Sequence, residues 1–163
     1  MKKIVLMRHA KSSWENPWME DYDRPLAERG ILDATKMAKA LKNRGVIPQL
    51  LLSSSALRTM ETAKITSKIL GIPEENISYE KSLYHASPSQ LLKAIHHQKD
   101  SVDTLLLLGH NPGLTELIQE LGVQLDNLPT SGQLGFTLEA TRWEEFEAGN
   151  VSFWFVDYPK KAD

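Results

Sequence analysis

Cysteine is absent from the 163 residues. That excludes disulfides, thiolate metal sites and a cysteine nucleophile, and it fits a reducing compartment. Long hydrophobic runs are absent as well. Residues 105–108 form the longest apolar stretch outside the amino terminus, and a bilayer takes about 20 residues to cross. The opening Lys2-Lys3-Ile4-Val5-Leu6-Met7-Arg8 superficially suggests a leader. Its apolar run is interrupted by arginine well before the roughly 7–15 residues that a signal peptide needs. An excess of one charge is also lacking: 19 Lys and Arg stand against 21 Asp and Glu, for a net charge of −2. Nothing here suggests a grip on nucleic acid or on an acidic membrane. The expectation is a soluble, cytoplasmic protein that binds neither.

What is present is ordinary globular composition, 41% hydrophobic and 25% charged, in a chain long enough for one proper core. No repeat, low-complexity run or linker divides it, so residues 1–163 are read as a single domain. Residues 4–7 are a continuous apolar run, the pattern of a strand buried on both faces. Residues 10–27 hold two tryptophans, two prolines and several acids without periodicity, and read as a long loop, which in a compact domain is usually functional. Ile31, Ala34, Met37, Ala38 and Leu41 recur at helical spacing before Gly45. A second buried strand at 50–52 precedes three serines and a helix over 57–70, stopped by Gly71 and Pro73. A brief strand at 77–79, a helix over 88–97 with Leu91, Leu92 and Ile95 on one face, and the strongest strand at 104–108 follow. A helix then runs from about Gly113 through Leu121. Strands at 134–138 and 151–156 flank an irregular segment. Strands alternating with helices predict an α/β fold, a three-layer α/β/α sandwich whose sheet of about six strands is mostly parallel with a mixed carboxyl-terminal end.

Three of these strands end in suggestive residues. The first runs into Arg8-His9, the second into Ser53-Ser54-Ser55 and then Arg58 in the first turn of a helix, the fourth into Gly109-His110. In open α/β sheets ligands bind beyond the carboxyl ends of strands, so all three groups should face one crevice. Two arginines, two histidines and a helix amino terminus describe a site for a dianion such as phosphate. No carboxylate cluster is available to hold Mg²⁺, so the positive charge must come from side chains, and no metal or other cofactor is expected. Each residue alone has an ordinary reading, as a loop-fixing histidine or a surface ion pair. Their joint occurrence at three strand ends is what favours a site.

Leu6-Met7-Arg8-His9-Ala10 resembles the Arg-His-Gly signature of the histidine phosphatase superfamily, the phosphoglycerate mutase-like fold, with Ala10 in the usual glycine position. Residues 52–63, centred on Arg58, are similar to its second block, with Ser55 where proline is common. Leu108-Gly109-His110-Asn111-Pro112 is similar to its third, and Arg24-Pro25-Leu26-Ala27-Glu28-Arg29-Gly30 matches another between the first two. With only a helix, a short strand and a second helix between Arg58 and His110, and with Arg8-His9-Ala10-Lys11-Ser12 at the start, the chain resembles the small bacterial SixA-type phosphohistidine phosphatases.

The resemblance implies roles by position. His9 would attack phosphorus while neutral, its far ring nitrogen donating to a backbone carbonyl. Arg8, Arg58 and His110 would bind the equatorial oxygens. Arg24 would add a contact at the rim, and Lys11, Ser12 and His85 are further candidates for substrate contact. The partner implied is a phosphorylated small molecule or a phosphohistidine-bearing protein. Relatives with broad activity usually carry a carboxylate near residues 82–86 to protonate the leaving group, and Ser82-Leu83-Tyr84-His85-Ala86 has none. Trp14 and Trp18 either wall the pocket or, the preferred reading, pin the loop. His96 and His97 are read as surface residues, and Glu15, Glu20, Asp21 and Asp23 as a solvated loop face from which one acid could reach the leaving group. Two other functions stay open: a mutase-type phosphotransferase, and a non-catalytic module that docks a phosphorylated protein.

Overall fold

The first apolar run is strand β1 (Lys2–Arg8), and its residues divide by parity. Ile4 and Leu6 enter one core and Val5 and Met7 another, all essentially excluded from solvent. The structure is a computed structural model and describes residues 1–161. The same alternation holds in β2 (Leu50–Ser54) and β4 (Thr104–Gly109). Leu105 and Leu107 join Ile4, and Leu106 and Leu108 join Val5. Burying each such side chain contributes about 1.5–3 kcal/mol, so four consecutive leucines anchor both sides of the sheet.

With β3 (Ile77–Glu80), β5 (Gln133–Leu138) and β6 (Val151–Asp157) the sheet has six strands in the order β3-β2-β4-β1-β5-β6. β1 to β4 run parallel to one another, and β5 and β6 are antiparallel to their neighbours. Helices α1 (Glu28–Asn43) and α2 (Leu57–Leu70) cover one face through Met37, Leu41 and Ala63. Helices α3 (Pro88–His96) and α4 (Gly113–Glu120) cover the other through Leu91, Ile95, Leu114, Leu117 and Ile118. This is the expected three-layer sandwich with a mixed edge.

Two details depart from the sequence reading. Ile31 shares the helical spacing of Ala34, Met37, Ala38 and Leu41 but is 48% exposed. Gly30 takes its place, because the helix lies so close to the 10–27 loop that a Cβ there would collide with the Lys11 carbonyl oxygen. His96 is not a free surface residue: it is half-buried, and its Nε2 donates to the Phe146 carbonyl at 2.7 Å. Among the described residues no helix is long and apolar enough to cross a membrane.

Candidate active site

Parallel pairing brings the ends of β1, β4 and β2 into line. Arg8 pairs with Gly109 and Ser53 with Leu108, and the His9 N–H donates to the Gly109 carbonyl at 3.2 Å. His9 and His110 therefore emerge side by side, with ring centroids 5.1 Å apart. Arg58, in the first turn of α2, reaches between them. Its Nε donates to His9 Nε2 at 3.3 Å, and its Nη2 lies 3.4 Å from His110 Nδ1. Arg8 donates from Nη1 to the Leu128 carbonyl at 3.2 Å, while its buried Nε has no hydrogen-bond partner among the described residues.

The ring of His9 is oriented from below. Nδ1 lies 2.7 Å from the Ala10 carbonyl oxygen and must donate to it, which leaves the Nε2 lone pair facing Arg58. Behind it, the Ala10 N–H donates to Thr62 Oγ1, whose hydroxyl donates to the Arg58 carbonyl. Burial pushes the His9 pKa down to about 4; the Ala10 hydrogen bond opposes this and the two arginines add to it. His110 is driven down to about 2 by burial first, then by His9, Arg58 and His85. Its Nε2 is held by Ser54 Oγ at 2.8 Å and Thr59 Oγ1 at 3.3 Å. Both imidazoles are neutral at pH 7. The Arg8 pKa is also lowered, by burial and then by Arg58.

These groups line a cavity of about 300 Å³ that also takes in Lys11, Ser12 and His85. Size does not single it out, since surface cavities of about 360 and 480 Å³ lie elsewhere. What distinguishes it is the convergence of two guanidinium groups and two neutral imidazoles. Seven of the eight residues expected from sequence line it.

Arg24 does not, and the expected rim contact is corrected. It is 3% exposed, donates to the carbonyls of Ser13, Asn16, Pro17 and Met19, and stacks 3.6 Å from the Trp14 ring. Both of its terminal nitrogens are spent inside the 10–27 loop, while its buried Nε has no hydrogen-bond partner among the described residues. Trp14 lines the cavity while 65% exposed, and Trp18, at 92%, pins nothing.

Asp21 is the residue that sequence reasoning left on a solvated face. It lines the cavity and is tied to Arg58 twice, through its carbonyl at 2.7 Å and through Oδ2 at 3.1 Å. Oδ2 also accepts the Tyr84 hydroxyl at 2.6 Å and lies 3.6 Å from His85 Nε2. Burial raises its pKa, but Tyr84, Arg58 and His85 outweigh this and hold it below the usual carboxylate range. Nothing in the linear chain separates Asp21 from Glu20 or Asp23. Asn111 and Thr130 complete the lining and were likewise missed.

The site lacks any carboxylate cluster: among the described residues no three His, Asp or Glu side chains gather as metal ligands. The arrangement can bind a tetrahedral oxyanion and present an unprotonated ring nitrogen to it.

Comparison with known proteins agrees with this geometry. Residues 4–83 match the histidine phosphatase superfamily (branch 1). An uncharacterized chloroplastic protein of Arabidopsis thaliana is 34% identical over 152 residues, covering 88% of this chain and 70% of that protein. The crystal structure of a candidate phosphohistidine phosphatase SixA from Agrobacterium tumefaciens superposes with a TM-score of 0.81 at 28% identity, covering 97% of this chain and 98% of that one. The protein histidine phosphatase SixA in complex with tungstate has the same fold, with a TM-score of 0.84 at 23% identity and 99% of each chain covered.

Proposed function

The chain belongs to the histidine phosphatase superfamily, and on that premise we propose that it hydrolyses phosphohistidine, or a small phosphorylated compound, through a covalent phosphohistidine on His9. The observation that carries this reading is the His9 ring itself: neutral, fixed through Nδ1 to the Ala10 carbonyl, with its Nε2 lone pair beside Arg58. In the reaction that lone pair forms a bond to phosphorus as the bond to the leaving group breaks. Arg8 and Arg58 take the equatorial oxygens, where positioned charge acts most strongly on the transition state. An incoming dianion raises the proton affinity of the neighbouring imidazole, so His110 joins as a further donor. Water then attacks the phosphohistidine, releasing phosphate and restoring neutral His9.

Arg8 and Arg58, joined by His110 once the dianion is bound, supply the charge that a metal provides elsewhere, so the reaction is metal-independent. Lys11, Ser12 and His85 meet the substrate at the mouth. Hydrolysis is favoured over mutase-type transfer because the stretch from Arg58 to His110 carries α2, β3, α3 and β4 with short connections that hold two 3-10 turns, and among the described residues no inserted lobe lies between them. A docking module would not need an unprotonated imidazole nitrogen beneath the anion. A cytoplasmic location and a phosphorylated small molecule or phosphohistidine-bearing partner complete the reading.

The test is phosphate release from phosphohistidine, a phosphohistidine-bearing protein, p-nitrophenyl phosphate and alkyl phosphates, each in excess EDTA. Phosphohistidine and the aryl ester should be hydrolysed faster than the alkyl esters, with inhibition by vanadate. Poor leaving groups gain about 10²–10⁴-fold from a general acid, and Asp21, the one carboxylate lining the site among the described residues, is held ionised. Activity lost on chelation and restored by a divalent metal, or confined to alkyl phosphates, would overturn it.

A further inference from the structure

A carboxylate at the mouth of a site built for a dianion opposes its ligand, and Asp21 occupies that position. Orientation of Arg58 does not by itself account for it. The Asp21 backbone carbonyl already takes the Arg58 Nη1 hydrogen at 2.7 Å, the shorter of the two contacts. Among the described residues no hydrogen bond reaches Oδ1, and the side chain is 43% exposed, so this oxygen remains able to accept from a ligand. Around it stands an aromatic wall. The rings of Tyr84 and His85 stack at 4.1 Å, and both meet the edge of His110 at 5.4 and 5.3 Å. A negative charge beside flat rings suits a planar cation.

We propose that Asp21 is a specificity-determining residue, whose carboxylate accepts a hydrogen bond from the cationic leaving group of a phosphoramidate, the distal N–H of a phosphorylated imidazolium ring. This rests on the phosphatase reading above and names the chemistry that the site selects. As the His9 Nε2–phosphorus bond forms, the phosphorus–nitrogen bond to the substrate ring breaks and its electron pair returns to that nitrogen. The ring departs as neutral imidazole, still carrying its distal N–H toward Asp21, and no proton is transferred. A phosphate monoester instead releases an oxyanion, whose growing negative charge meets the Asp21 carboxylate. The same side chain therefore favours one class and disfavours the other. Its effect falls on binding, because the ring is most positive before the bond breaks.

The groups facing Asp21 are Arg58 from α2, Tyr84 and His85 after β3, and His9 and His110 at the ends of β1 and β4. His85 is itself an imidazole 3.6 Å from Asp21 Oδ2, the position proposed for the substrate ring's distal N–H, so the experiment is run in the native and the His85→Gln backgrounds. Asp21→Asn keeps the shape and the backbone carbonyl. The measurement is kcat and KM between pH 6 and 9 on a phosphohistidine peptide and on p-nitrophenyl phosphate. On the peptide kcat/KM should fall at least about tenfold, mainly through KM, as expected for losing one charge-assisted hydrogen bond. Its alkaline limb should move to lower pH in both backgrounds, because asparagine no longer favours the protonated ring. On p-nitrophenyl phosphate kcat/KM should rise. A parallel fall on both substrates would reduce Asp21 to a support for Arg58 and overturn the proposal, as would an unchanged peptide KM. A native enzyme inactive on both substrates would instead overturn the phosphatase reading beneath it.

Discussion

Arg58 donates its Nε hydrogen directly to His9 Nε2, across 3.3 Å. The lone pair proposed to attack phosphorus and the guanidinium proposed to hold its oxygens therefore satisfy each other while the site is at rest. An arriving phosphoryl group replaces one contact with two: oxygen takes the Arg58 hydrogen, and phosphorus takes the lone pair. The contact also requires His9 to be unprotonated at Nε2, consistent with its low pKa.

If His9 is the nucleophile, His9→Ala removes turnover. The residue sits beyond the end of β1 and outside the hydrophobic clusters. Its melting temperature should move by no more than about 4 °C, roughly the equivalent of 1 kcal/mol in a chain of this size. An alkaline quench of the native enzyme with labelled substrate should trap phosphohistidine that an acid quench loses. Label found on serine or on a carboxylate would refute the assignment.

Acid should destabilise the protein through the same ring. The folded His9 pKa of about 4 lies below the ordinary 6.5, so between these values the unfolded chain binds more protons. The associated stability is fully present above pH 6.5 and is lost as pH falls toward 4, at about 3 kcal/mol for a shift of this size. His110 acts in the same direction and extends the loss lower. Urea unfolding at pH 7 and pH 4.5 checks this, and His9→Asn, which cannot titrate, should lose less across the same interval. Protonation of His9 should add an acid limb to the native kcat/KM only near pH 4, below the limb at pH ~6 that ionisation of a phosphoryl substrate itself imposes.

Arg24 matters for the loop rather than for phosphate. Arg24→Ala leaves four loop carbonyls without their donor and removes the partner of Trp14. A cost of about 2–3 kcal/mol is expected, or roughly 4–12 °C in melting temperature. Vanadate affinity, read by inhibition, should fall less than in Arg58→Ala. A larger loss for Arg24→Ala would restore it to the site.

Helix α1 begins uncapped. Ala27 occupies the cap position in an extended conformation with no side-chain acceptor, while its own N–H donates to the Lys11 carbonyl. A serine there can accept from the first-turn N–H groups, which typically stabilises by about 0.5–2 kcal/mol. Ala27→Ser should raise the melting temperature by roughly 1–8 °C and leave kcat/KM where it was. A lower melting temperature would mean the added hydroxyl disturbs the contact with Lys11 more than it helps the helix.

Parallel strands buried on both faces announce themselves as unbroken apolar runs, which is why β1 and β4 were visible in the chain. The groups at their ends were visible for the same reason: a polar Arg8-His9 or Gly109-His110 stands out when a hydrophobic run stops. Ser54 and Ser55 could be noticed but not given tasks. Only pairing of β2 with β4 puts Ser54 beneath His110, and only loop packing puts Ser55 against Tyr22 at 2.5 Å.

The sequence by itself determined the layered sheet and the convergence of Arg8, His9, Arg58 and His110, because periodicity and strand termini are local properties that survive without coordinates. The 10–27 loop was decided by tertiary structure. Its four acids are chemically equivalent along the chain, and its one buried arginine carries the same charge whether it meets a substrate or a ring of carbonyls. Which of them faces the cavity depends on where the loop is tied down: the Ser12–Leu26 bridge, the Leu26 N–H on Glu61, and Gly30 pressed against the Lys11 carbonyl. Those long-range contacts turn Arg24 inward and lay Asp21 on Arg58. No pattern of spacing encodes that choice, since it is set by the balance of hydrogen bonds and burial once the sheet is already in place.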